Sequence, residues 1–215
     1  MMLFALGSWK AGLIEHHTYK LAESAIPGTS TYTLTGMLRH GQKVLEVHVE
    51  THRIMTLGGQ QGKLDSNGST WIDPVTFDLL ESRLITTLNG VEASYLHAMR
   101  KGQTIEVYQK LRGSPVDIRT VQAPGVAIDE NALNFFLERT AWAPGKTVEW
   151  QSYSPTQSRL IPNKANLEKA EKDKLRVKVE TDIGPHLYDI RPGKDATVLR
   201  MDAAGTEQFH LADPN

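Results

Sequence analysis

The stretch of sequence that decides the fold is DENALNFFLERTAWAPG, Asp129–Gly145. Asp129 suits the N-cap of a helix, because its carboxylate can accept a hydrogen bond from a free N–H group of the first turn. Pro144-Gly145 supplies a stop signal at the other end. The stretch therefore predicts a helix with a defined start and a defined end.

This helix is expected to have one apolar face. Leu133, Phe136 and Leu137 follow one another at the three- and four-residue spacing that places side chains on the same side of a helix. Glu138 and Arg139 are expected on the solvent or rim side. A helix of this kind must bury its apolar face against another element of the fold.

The rest of the chain alternates apolar and polar residues with a period of two, which is typical of half-buried strands. The clearest example is Lys43–Arg53, and turn signals such as His40-Gly41 and Asn89-Gly90 separate neighbouring segments. We also expect a hairpin turn at Asp65–Gly68. The other predicted strands include Tyr19–Ser24, Leu80–Leu88, Thr104–Leu111, Val116–Gln122, Thr147–Tyr153, Gln157–Ile161, Leu175–Glu180, His186–Arg191, Thr197–Asp202 and Glu207–Leu211.

The pattern as a whole predicts a mainly β protein, an antiparallel meander with one principal helix packed on one face of the sheet. We expect residues 1–215 to form a single domain. Residues 1–17 carry no assignment. The charged segment at residues 163–174, NKANLEKAEKDK, is expected to be a short solvated helix or a loop insertion.

Composition excludes several functional classes. The formal net charge of -1 gives no basic excess for binding nucleic acid. The chain has no cysteine, which excludes disulfides, thiolate metal sites and a cysteine nucleophile. No stretch approaches the roughly 18 apolar residues of a membrane-spanning helix, and the N-terminal sequence makes a poor secretory signal. The oligomeric state is left open.

Two phrases resemble a known family. IDPVTFDLLESR at Ile72–Arg83 precedes the helix, and ERTAWAPGK at Glu138–Lys146 closes it. In both the chain resembles an uncharacterised bacterial family of secreted β-sheet proteins, a domain of unknown function related in shape to the lipoprotein carriers LolA and LolB. The resemblance implies a strongly curved antiparallel sheet, or open half-barrel, with the helix on its concave face. It also implies a periplasmic or secreted protein; without it, a cytoplasmic location is expected.

A divalent metal site is one candidate. His48, Glu50 and His52 share one face of a predicted strand, where same-face neighbours lie roughly 6.5–7 Å apart, and imidazole and carboxylate groups are ligands of zinc and similar ions. The alternative is that these residues form the wet face of a half-exposed sheet. No cofactor other than such a metal is expected.

A ligand cavity is the other candidate. Phe135, Phe136, Trp142 and Trp150 could line it, because a curved sheet with apolar inner side chains can hold a lipid or another apolar molecule. The alternative is that these aromatic residues form the core.

We therefore expect a non-enzymatic binding or scaffold protein that holds an apolar small molecule or lipid. No nucleophile elbow or comparable catalytic motif is present. The first alternative is a metal-assisted hydrolase, or another enzyme on the same fold, that uses His48 and His52. The second is a structural subunit that pairs exposed strand edges with a neighbour.

Overall fold

The structure, a computed structural model, describes residues 9–22, 27–57, 60–193 and 195–212. These residues form fifteen strands and one α-helix, which follows a single 3-10 turn at Glu130–Ala132. The elements in chain order are β1 (Gly12–Leu21), β2 (Gly28–Arg39), β3 (Gln42–Leu57), β4 (Gln60–Ile72), β5 (Leu79–Leu88), β6 (Val91–Lys101), β7 (Thr104–Leu111), β8 (Asp117–Gln122), β9 (Ala127–Asp129), α1 (Leu133–Arg139), β10 (Thr147–Ser154), β11 (Arg159–Ala170), β12 (Leu175–Thr181), β13 (Gly184–Arg191), β14 (Thr197–Ala203) and β15 (Thr206–Leu211).

All fifteen strands belong to one sheet, made of two meanders. Strands β1 to β8 form the first meander and β10 to β15 the second, and antiparallel pairing of β1 with β15 joins them. The edges of the sheet are β8 and β9. Strand β9 pairs in parallel with β10, whereas the other pairings are antiparallel.

The sheet curls around the helix. The backbone N–H of Ala127 in β9 donates to the Asp78 carboxylate next to β5, at 2.8 Å, although β9 and β5 lie far apart in the strand order. One apolar cluster contains Phe136 of α1 together with Val47 of β3 and Val179 of β12. Because both meanders contact the helix, the predicted mainly β sheet with the helix on its concave face is confirmed.

The alternation in β3 behaves as predicted. Leu45, Val47 and Val49 are at most 6% exposed and face the core, whereas Glu50 and His52 are exposed. The turns at His40-Gly41 and Asn89-Gly90 are also present, with positive φ at all four residues. Such backbone geometry is what a two-residue hairpin turn requires.

The helix is shorter than the sequence predicts. Asp129 accepts a hydrogen bond from the Asn131 N–H at 2.9 Å and so caps the 3-10 turn at Glu130–Ala132, whereas α1 itself begins at Leu133 with no side-chain cap. The helix ends at Arg139 rather than at Pro144-Gly145. Thr140 leaves the helical region with φ -74° and ψ 129°. Its hydroxyl and the Trp142 indole then donate to carbonyls of the last turn. The last carbonyl groups of a helix have no partner within the helix. Because these two side chains donate to them, the helix can end inside the protein.

The expectation that Glu138 and Arg139 lie on the solvent or rim side of the helix is wrong for Glu138, whereas Arg139 is partly exposed and lines the open cavity described below. Residues Asn134, Phe135, Phe136, Leu137 and Glu138 are all buried. A helix enclosed by a curled sheet has no solvent-exposed face. The amphipathic pattern of the sequence does not reveal that the helix is enclosed.

The prediction of a helix or loop insertion at residues 163–174 is also corrected. Asn163–Ala170 belongs to β11 and is neither a helix nor a loop. Ile161 and Ala165 face the core, and the Asn163 amide between them donates to Ser152 Oγ at 2.9 Å. Lys164 points to the opposite, exposed side. Lys164 therefore lies on the outer face of a strand, and the charged residues 171–174 form the connection between β11 and β12.

The hairpin turn expected at Asp65–Gly68 does not form, because these residues lie in the middle of β4. At the N-terminus, β1 already begins at Gly12, within the range that the sequence left unassigned. Residues 1–8 and Ser24, the predicted end of the first strand, lie outside the described residues.

Candidate functional site

A cavity of about 680 Å³ lies at the C-terminal end of α1. Its walls come from both meanders, for example from Leu34 of β2 and from Leu175 of β12. Lys10 and Ala141 at its margin are exposed to solvent. The cavity is therefore an opening on the concave side of the sheet, next to the last turn of the helix.

Most of the wall is apolar, and four of its polar residues lie where β1 meets the helix. The apolar lining includes Trp9, Ile14, Leu34, Leu45, Trp142, Leu175 and Ile190. Glu15 and His17 of β1 and Glu138 and Arg139 of α1 line the same cavity. We call these four residues the polar floor.

Glu15 and His17 reach the cavity because alternate residues of a strand point to the same face. Arg139 donates a hydrogen bond to Glu15, which ties the helix to β1 across most of the chain. The His17 ring lies 5.8 Å from the Phe135 ring, centroid to centroid, and its Nε2 lies 3.4 Å from Glu15 Oε2. That second separation exceeds the usual 2.7–3.2 Å of a hydrogen bond of this kind.

Glu138 is the most enclosed group of the polar floor, with a side chain that is 0% exposed. Its Oε1 accepts a hydrogen bond from the Val198 N–H at 2.8 Å. Its Oε2 accepts none from the described residues, and the Arg139 guanidinium lies 3.7 Å away. Burial raises the pKa of Glu138 to about 8, against the effect of the Val198 hydrogen bond.

The two carboxyl groups of the polar floor differ in their preferred charge. Burial acts against ionisation of Glu15, but its interaction with the nearby His17 ring and the charge of Arg139 outweigh the effect of burial, so the pKa of Glu15 is lowered. The pKa of Glu138 moves in the opposite direction. An ionised carboxylate, a guanidinium and a carboxyl group with an unpaired oxygen thus lie together and can bind a polar group or a cation.

The four predicted ligand-binding aromatic residues separate into two sets. Phe135, Phe136 and Trp150 are buried in the core, where the Phe136 and Trp150 ring centroids are 5.1 Å apart. Trp142 is partly buried and lines the cavity. Ligand binding by this group stays a prediction, and Trp142 is the member placed to make the contact.

The predicted metal residues lie on the convex side of β3. His48 Nε2 is 3.4 Å from Glu50 Oε1, and both side chains are at least 36% exposed. His52 turns towards β4 and pairs with Asp65 at 2.8 Å. Metal binding by His48, Glu50 and His52, and the hydrolase alternative built on it, stay predictions.

In the described part of the chain, a different trio has ligand atoms within 4.8 Å of one another: Glu15, His17 and Glu138. Sequence reasoning missed this cluster. The signal for two of its three residues was present, because the alternation Glu15, His17, Tyr19 would place these residues on one strand face. For Glu138 no signal was available, since its burial depends on the curl of the sheet.

Comparison with known proteins adds information on the fold alone. No protein-family model matches the chain, and no curated protein matches it. None of the helices in the described ranges has the length and apolar character needed to cross a membrane. A crystal structure of a β-barrel-like protein of domain of unknown function DUF1849 from Brucella abortus is similar, with a TM-score of 0.59 at 12% identity. The match covers 94% of this chain and 98% of that chain, so the two proteins share a barrel-like β fold over nearly their whole lengths.

Proposed function

We propose that this chain is a binding protein that holds an amphiphilic molecule, such as a fatty acid or another lipid, in the cavity at the end of α1. The single observation that supports the proposal is the cavity itself, whose volume of about 680 Å³ falls in the range of small-molecule sites.

The distribution of side chains favours a ligand with an apolar body and one polar end. Leu34, Leu45 and Ile190 are core residues that also line the cavity, so an apolar body would extend the core. The ion pair between Arg139 and Glu15 places charged groups at one side of the cavity. An apolar wall with a few polar groups in fixed positions is the usual arrangement of a ligand site.

The proposal is tested by native mass spectrometry of the full chain with palmitate and with hexadecylphosphocholine as probes. Ala196 lines the cavity and is half-buried, so Ala196→Trp fills space without removing a core side chain. Ile183→Trp is the matched control, because Ile183 is 73% exposed and lies in a hairpin turn between β12 and β13.

We expect the wild type to bind one molecule of at least one probe, and Ala196→Trp to weaken that binding at least tenfold, a change of about 1.4 kcal/mol. Ile183→Trp should bind like the wild type. Absence of binding of either probe to the wild type, or equal binding by Ala196→Trp, contradicts the proposal.

A further inference from the structure

Three potential metal ligands meet at the polar floor from two separate elements. Glu15 and His17 are two residues apart on β1, and Glu138 comes from α1. The ligand atoms of the three side chains lie within 4.8 Å of one another, and His17 Nε2 is 3.4 Å from Glu15 Oε2. In a tetrahedral zinc site with ligands at about 2.0–2.2 Å, neighbouring ligand atoms are roughly 3.3–3.6 Å apart. The Glu15–His17 separation of 3.4 Å falls within this range.

A second observation is independent of this spacing. The Glu138 side chain is 0% exposed, and its Oε2 accepts no hydrogen bond from the described residues. Buried carboxylate oxygens are normally paired, because an unpaired one loses the hydrogen bonds that water would supply. An oxygen of this kind beside Glu15 and His17 is suited to coordinate an ion.

We propose that Glu15, His17 and Glu138 bind a divalent transition-metal ion such as Zn²⁺. Imidazole nitrogen and carboxylate oxygen are both accepted by zinc. Three protein ligands would leave one position for water or a ligand group, and all three residues line the cavity. This site differs from the predicted one on the convex face, with which it shares no residue.

Neighbouring groups support the role of the two carboxylate ligands. Arg139 donates a hydrogen bond to Glu15, and the Val198 N–H donates one to Glu138 Oε1. Each carboxylate is therefore fixed in position by a hydrogen bond. Hydrogen bonds of this kind orient ligands and are a regular feature of metal sites.

The inference does not require an apolar ligand, so it is tested with the metal alone. The full chain is stripped with a chelator and titrated with Zn²⁺ by calorimetry, and with Co²⁺ by visible absorption. Glu138→Gln keeps an oxygen for the Val198 N–H, and His17→Gln is the second variant. The control is the double variant His48→Ala/His52→Ala, and circular dichroism checks that each variant is folded.

We expect one ion per chain, with affinity at least about tenfold weaker in Glu138→Gln and in His17→Gln, and unchanged in the control. If Glu138→Gln does not fold, His17→Gln decides. Absence of binding by the wild type, or binding that only the His48→Ala/His52→Ala variant loses, overturns the inference. If the wild type binds the metal but binds neither palmitate nor hexadecylphosphocholine, the proposed function is overturned and this inference stands.

Discussion

The buried carboxyl group of Glu138 accepts a hydrogen bond from the backbone N–H of Val198 at 2.8 Å. The two residues are 60 positions apart, and Val198 is 0% exposed. The last turn of α1 is thereby fixed to the beginning of β14, in the second meander. Since Glu138 also faces the cavity, the same side chain positions the helix and contributes to the candidate site.

Replacing Glu138 separates these roles. Glu138→Ala leaves the buried Val198 N–H without an acceptor, so we expect it to lower the free energy of unfolding by about 1–3 kcal/mol. Glu138→Gln keeps a side-chain oxygen and is expected to lower it by less than about 1 kcal/mol. Urea denaturation measures both values. Equal losses in the two variants would contradict the role assigned to the hydrogen bond.

The ion pair between Arg139 and Glu15 is expected to stabilise the contact between α1 and β1. Its side chains are 14% and 26% exposed, so water screens the pair only in part. Arg139→Met should lower the free energy of unfolding by about 1–3 kcal/mol, because the Glu15 carboxylate then remains partly buried without its partner. A double-mutant cycle with Glu15→Gln should give a coupling energy of about 1 kcal/mol.

The matched control for this cycle is the pair Arg119–Asp117 in β8, whose side chains are 54% and 47% exposed. Arg119→Met with Asp117→Asn should give a coupling energy of less than about 0.5 kcal/mol. A coupling energy at Arg139–Glu15 no larger than at this exposed pair would show that the buried contact contributes little.

Local signals were sufficient to predict most of the fold. Asn89-Gly90 forms its hairpin turn, and Thr104–Leu111 is a strand with the predicted bounds. Both depend on interactions between near neighbours in sequence. Asn67-Gly68 carries the same turn dipeptide but lies within a strand, because β5 packs against Gly68. Contacts between strands thus decide which of the two Asn-Gly dipeptides forms a turn.

The candidate site was harder to predict because it depends on distant contacts. Glu15 and Arg139 are 124 positions apart, and they meet only after β1 pairs with β15 and the sheet closes around α1. Glu138 looked solvent-facing by helical periodicity, which assumes that one side of a helix contacts water. The enclosed helix does not meet that assumption.

Asp129, the N-cap, should make stability depend on pH. It is 0% exposed, and burial raises its pKa to about 6 from 3.8, although the Asn131 N–H and the Thr70 and Ser82 hydroxyls favour the charged form. The folded protein therefore holds a proton that the unfolded chain releases at a lower pH. Between pH 3.8 and about 6 this group's contribution to stability falls as pH rises.

Asp129→Asn removes this titration and retains a good N-cap side chain. Relative to the variant, we expect the wild type to lose up to roughly 3 kcal/mol of unfolding free energy over this pH interval. Urea denaturation at several pH values provides the measurement. A wild type that gains stability relative to Asp129→Asn as the pH rises would have the opposite sign to the one expected.

Gly68 in β4 tests how closely the sheet is packed. A Cβ atom at this position would lie 2.8 Å from the Arg83 carbonyl oxygen and 3.0 Å from Leu84 Cδ1, so an added methyl group must push β5 away. We expect Gly68→Ala to lower the free energy of unfolding by about 1–3 kcal/mol, the usual effect of overpacking.

Gly125 provides the matched control, because a Cβ atom there would meet nothing within 4 Å and the position has no positive φ. Gly125→Ala should leave stability unchanged or raise it by up to about 1 kcal/mol, since alanine restricts the unfolded chain. Both variants are compared by urea denaturation under the same conditions. If Gly68→Ala is as stable as Gly125→Ala, then β4 and β5 do not pack as described, and the reason why Asn67-Gly68 forms no turn must lie elsewhere.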